Sequence, residues 1–223
     1  METGETFTPK SGQSIVDKEE LKSFYKNSLP EILKSIFLEP VNGTYSLFTN
    51  RSEKTYFHSL VLMASTAVLY IIFPYILMGS DMRQVLGFSA AFKTGIGVLV
   101  FMFAISVVAF GVKAISGKPQ FKNELLTGAL CGIPLTILLL LAFLVKIFAN
   151  EDSISSIMFD PSALIARAGV IMLLVLYVFL MLINIMQQSL RAAGTKDGWS
   201  WYMSPAGIFL ASYISFKITS ALF

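Results

Sequence analysis

Asn184, Gln187, Gln188 and Lys217 are the polar residues whose types and positions could do chemistry inside otherwise apolar stretches of this sequence. The three amides crowd the end of one apolar run. Side-chain amides in hydrocarbon bond across to neighbouring helices and hold a bundle together, or they line a path for a polar solute. A lysine inside such a run is costly unless it reaches water, finds a carboxylate or serves a path. Lys217 lies about two turns before Phe223, close enough to reach headgroups or a terminal carboxylate, and that reading is favoured over a place in a pore. Lys93, Lys146 and Arg167 stand near the ends of apolar runs, where a long side chain snorkels to water. No acidic residue falls in the middle of a run, so a carboxylate-based proton relay has no candidate.

The remaining reactive residue types are scarce. Cys131 is the only cysteine and lies in an apolar run, so neither a disulfide framework nor a zinc cluster can be built within one chain. His58 is the only histidine, placed at the mouth of the first run as an interfacial side chain with one face wet. HExxH, a Walker loop and a nucleophile elbow are all missing, which points away from an enzyme and from any cofactor or metal. Small residues at four-residue spacing, Gly128 with Gly132 and Gly207 with Ala211, suit helices whose backbones approach closely.

The elements that must position these residues follow from composition. The chain has 223 residues, 55% hydrophobic and 14% charged, whereas a soluble domain carries about a quarter charged residues to cover its surface. Lipid is the better solvent for such a chain, and the fold class is all-α: a multi-pass transmembrane helical bundle with about five spans and an N-terminal amphipathic segment. The apolar runs place the spans at about 57–78, 94–114, 125–148, 163–187 and 205–223, each enough to cross ~30 Å of hydrocarbon. Residues 85–92 form an interfacial, re-entrant or span-joined approach to the second span. Pro74 is expected to kink or end the first span. The lipid bilayer is therefore the first partner, and the net charge of +3 implies no nucleic-acid surface.

Ahead of the spans, residues 1–16 read as a flexible polar tail and 17–55 as an amphipathic arm. Nothing in METGETFTPKSGQ resembles a cleavable signal, so the first apolar run is expected to be an uncleaved anchor. In the arm, Leu21, Phe24, Leu33, Ile36 and Phe37 recur at helical intervals among lysines, with Pro30 dividing the stretch and Pro40 ending it. The piece from Pro30 is suited to lie in the headgroup region or to pack on the ends of the bundle. Basic residues collect at one side of the spans: Lys34, Arg51 and Lys54, then Lys113, Lys118 and Lys122, then Arg191 and Lys196. The opposite side takes the acidic connection with Glu151, Asp152 and Asp160. The positive-inside rule then puts the N-terminus in the cytoplasm and the C-terminus outside. The triplets Asn42-Gly-Thr and Asn50-Arg-Ser would face the cytosol and stay unglycosylated.

The Pro-flanked stretch Leu29-Pro-Glu-Ile-Leu-Lys-Ser-Ile-Phe-Leu-Glu-Pro ahead of closely spaced spans resembles the Yip family of Ypt-interacting proteins, particularly its bacterial members. So does Ser116-Gly-Lys-Pro-Gln-Phe-Lys-Asn-Glu, which leads into a small-residue helix with Pro134. The Asp-Leu-Tyr-Gly-Pro motif of eukaryotic members is absent, Glu39-Pro-Val-Asn-Gly-Thr-Tyr standing in that region, which removes the basis for Rab-type GTPase binding. The resemblance implies a non-enzymatic organising, trafficking or partner-binding role in a bacterial cytoplasmic membrane, with protein partners or a homo-oligomer. A small transporter or channel using Asn184, Gln187, Gln188 and Lys217, or an accessory subunit of a larger membrane complex, is the alternative.

Overall fold

The computed structural model describes residues 18–50, 54–77, 80–117, 119–148 and 161–223. The tail at 1–16 and the acidic connection lie outside the described residues, as do the side chains of Lys146 and Arg167. The described chain is all-α: α1 (Lys18–Ser23), a π-helical turn (Phe24–Ser28), α2 (Leu29–Phe37), α3 (Asn42–Thr49), α4 (Thr55–Leu77), α5 (Ser80–Ser116), α6 (Phe121–Phe148), α7 (Pro161–Ala192) and α8 (Asp197–Leu222). Five helical segments, within α4 to α8, are long and apolar enough to cross a membrane. The protein is a multi-pass integral membrane protein.

The centre of the bundle is α6. Of its apolar window 61% is buried, against 22% for α4 and for α8, so α6 is enclosed by neighbours while α4 and α8 face outward. It packs against α4, α5 and α7, and α8 closes the assembly by packing on α5 and α7. Lipid supplies no hydrophobic drive for this assembly, so close backbone approach and hydrogen bonds must hold it. Both are present. A Cβ at Gly128 would fall within 3.0 Å of the Met102 carbonyl and the Ser106 hydroxyl, and one at Gly132 would lie 2.7 Å from Thr66 Oγ1. At Gly207 it would meet Met186 Cε at 2.9 Å, and Ala211 is fully buried. Tyr70, on α4, donates its hydroxyl to the Leu135 carbonyl of α6 at 2.7 Å.

Several boundaries move from where the sequence places them. The second span begins at Gly87 rather than 94, because Gly87 takes φ 64°, a left-handed conformation suited to glycine, and the helix is regular from there through Lys93. Lys93 does not interrupt it: its side chain is exposed, with the ammonium 5.2 Å from the Phe223 ring centroid. The crossing segment of α7 is Met172–Ala192, and α8 starts at Asp197, carrying Pro205 inside the helix rather than at its start. Pro74 likewise sits inside α4, which ends at Leu77.

The arm is folded onto the bundle. Phe24, Ile32, Ile36 and Phe48 are buried in the same apolar core as Leu126, Leu130 and Met186. The arm's apolar face is thus covered by the bundle, and the charged Glu31 and Lys34 stay on its outer face. Pro30 does not divide the arm. The wide turn Phe24–Ser28 precedes it, a usual adjustment where the i→i−4 ladder loses a donor, and the helix runs on to Phe37.

Candidate functional site

A buried ion pair is built across the turn between α5 and α6. Lys113 occupies the last turn of α5 and Glu124 the first turn of α6, positions where the helix dipoles favour a cation and an anion respectively. The short connection between the two helices folds them back on each other, so Lys113 Nζ donates to Glu124 Oε2 at 2.5 Å. Both side chains are at most 3% exposed. Lys113 also donates to Ser189 Oγ of α7 at 2.7 Å, and Ser189 shares a hydrogen bond with Thr127 Oγ1 at 2.7 Å. Thr127, one turn on from Glu124, donates to the same carboxylate oxygen at 3.5 Å. Three spans are thus joined at one depth by a charge pair and two hydroxyls.

Taking such a pair out of water costs several kcal/mol per ion, offset only where the remaining donors and acceptors are satisfied. Ser189 and Thr127 supply that satisfaction here. Phe48 of α3 places its ring centroid 5.9 Å from the Lys113 ammonium and closes the cluster from the arm side. A cavity of about 530 Å³ adjoins the pair, walled by Phe48, Thr49, Gln120, Asn123 and Ala192 as well as by Lys113 and Glu124 themselves. Such a hollow is large enough for a small polar ligand. A lysine donating to a carboxylate is not placed to act as the base for the neighbouring Ser189 hydroxyl, so the group reads as an electrostatic site rather than a nucleophile–base arrangement.

A second polar chain ties the arm to the bundle. Asn184 Nδ2 donates to the Pro40 carbonyl at 2.6 Å, at the turn between α2 and α3. Gln188 Nε2 donates to Asn184 Oδ1 at 3.2 Å, and Arg191 Nη1 donates to Gln188 Oε1 at 3.2 Å. Arg191 Nε also meets Asp197 Oδ1 at 2.8 Å, reaching the start of α8. Gln187 is half-buried beside them. On the α4 side, Tyr25 and Ser65 hydroxyls lie 2.5 Å apart and the Phe24 ring meets His58 at a tilt of 42°, with centroids 4.9 Å apart.

The residues singled out by sequence therefore divide. Asn184 and Gln188 meet in one network, while Lys217 lies roughly 30 Å along α8 from Asp197, exposed, with its ammonium 5.8 Å from the Tyr213 ring. It does not join the amides. Lys113, read above as a connection charge, is a buried member of the bundle, and this is a correction: the charge is paired inside rather than left on the basic rim. Glu124, Thr127 and Ser189 were not legible as a site. The available signal was a lysine and a glutamate eleven residues apart across a tight turn, each just inside an apolar run.

Fold and site together define an all-α integral membrane bundle with a docked arm and, among the described residues, one buried charge cluster. Among the described residues, no His, Cys, Asp and Glu side chains group in a way that could hold a metal ion. Compared with known proteins, the chain matches no family model, no curated protein and no solved structure.

Proposed function

We propose that this chain is a non-enzymatic, Yip-like membrane-organising protein, with its basic face in the cytoplasm of a bacterial cell, whose docked arm presents a surface to protein partners. The observation that carries the reading is how the arm's residues are spent. Phe24, Ile32, Ile36 and Phe48 anchor it, yet Leu38 remains 72% exposed and Val41 and Tyr45 also stay uncovered, beside Glu31, Lys34 and Glu39. An apolar strip held rigidly among charges, outside the membrane-crossing helices, suits a partner surface. The amides of α7 support the same view, because Asn184 and Gln188 are engaged in holding the arm rather than lining a path. The Pro-flanked stretch and the Ser116–Glu124 passage agree with the Yip resemblance.

Deleting the arm would expose its core contacts, so a milder change is the better test. Leu38→Glu with Val41→Glu alters only exposed side chains. Cross-linking in native membranes, followed by identification of the linked chains, should show partners for the wild type that the double variant loses. An identical set in both would overturn the reading.

The 530 Å³ cavity against Lys113 and Glu124 favours a second reading, a small transporter of polar solutes. Flux into liposomes that is abolished in Asn123→Ala, a change in the cavity wall that leaves the buried pair intact, would establish it over the first.

A further inference from the structure

Where α5 ends and the α7–α8 turn begins, two adjoining hollows of about 350 and 660 Å³ share Lys196 and Trp199. The first is walled by Ile115, Trp199 and Met203, and the second extends to Tyr202. These are not buried positions: Ile115 is 86% exposed, Trp199 60% and Tyr202 73%. Exposed Trp and Tyr at the end of a membrane-crossing helix mark the height of the lipid headgroups. The medium facing this crevice is therefore lipid, with acyl chains beside Ile115 and Met203 and headgroups beside Lys196.

The charges around it are unequal. Arg191 and Asp197 satisfy each other across the turn at 2.8 Å, which leaves the exposed Lys196 as the uncompensated cation on the crevice wall among the described residues. Thr195 Oγ1, recessed in the same wall, has no hydrogen-bond partner within the protein. From these positions we infer that the crevice binds one glycerophospholipid of net negative charge, its phosphate on Lys196 and one acyl chain along Ile115, Trp199 and Met203. A zwitterionic lipid would bring its own ammonium beside Lys196 and lose the charge complement, while keeping the apolar contact.

The test uses the full chain in detergent micelles, with bound lipids counted by native mass spectrometry. Dioleoyl phosphatidylglycerol and dioleoyl phosphatidylcholine are compared because their acyl chains are identical. Wild type should prefer phosphatidylglycerol by about five-fold, the factor one lysine contributes at an anionic surface. Lys196→Gln should erase that preference, Trp199→Ala should weaken both lipids, and Lys217→Gln at the far end of α8 should change neither. Equal binding of the two lipids by the wild type, or a preference that survives Lys196→Gln, would overturn the assignment.

Discussion

Lys113 and Lys217 share a setting in their helices and part company in the fold. Each is a lysine in the last turns of an apolar helix, although the sequence assigns Lys113 to a basic connection and Lys217 to the last apolar run. Lys113 is 2% exposed, bonded to Glu124 and Ser189, and shielded by Phe48. Lys217 is exposed and lies over Tyr213 on its own helix. The difference teaches that the number of helices around a position, rather than its local hydropathy, decides whether a charge becomes structure or stays at the lipid surface. α5 is flanked at Lys113 by α6 and α7, with Phe48 of α3 beside the ammonium, whereas Lys217 stays exposed on α8 and, among the described residues, meets the Tyr213 ring of its own helix.

The sharpest way to break this contrast is to remove one member of the buried pair. Glu124→Gln or Lys113→Met should destabilise the bundle by about 3–5 kcal/mol, since each leaves a charge without its partner away from water. Lys113→Met combined with Glu124→Met should recover most of that loss, because a well-packed apolar pair is often as stable as a buried ionic one. Reversible denaturation in mixed micelles measures all three. A double variant as weak as the singles would mean that the Thr127 and Ser189 hydroxyls need the charges to order them.

A smaller effect is expected where the arm meets α7. Asn184→Ala removes the bond to the Pro40 carbonyl and the acceptor for Gln188, a loss of about 1 kcal/mol. Because this contact holds the arm, the change should show as faster hydrogen exchange over residues 29–49 while the spans keep their protection. Uniform loss of protection across the bundle would instead make Asn184 a core residue of the whole fold.

Lys217→Met should be the mildest, within about 0.5 kcal/mol of wild type, as for exposed positions in general. A loss comparable to that of Lys113→Met in the same denaturation assay would abolish the distinction between the two lysines.

Much of the architecture was legible because hydrocarbon imposes simple rules. The run from Leu60 to Leu77 or the leucine block before Phe143 can satisfy its backbone in lipid only as a helix, so spans follow from composition. Close-packing positions were legible too: Gly128 and Gly132 are small where α6 crosses its neighbours. The start of the second span was not, since a single φ at Gly87 decides it and Lys93 suggested an interruption. The amides of α7 were recognised as bundle glue or path, but the partner of Asn184 is a backbone carbonyl 144 residues away, which no local pattern encodes.

The sequence by itself determined that this chain lies in a membrane as helices, because a backbone without water must satisfy its own hydrogen bonds and the apolar runs have the length to do so. It also set which ends carry positive charge. Only the tertiary structure decided which charges are enclosed, that the arm rests on the bundle, and that Lys113, Glu124, Thr127 and Ser189 form one group. Those outcomes depend on which helices become neighbours, and that is a property of packing between distant segments rather than of any one of them.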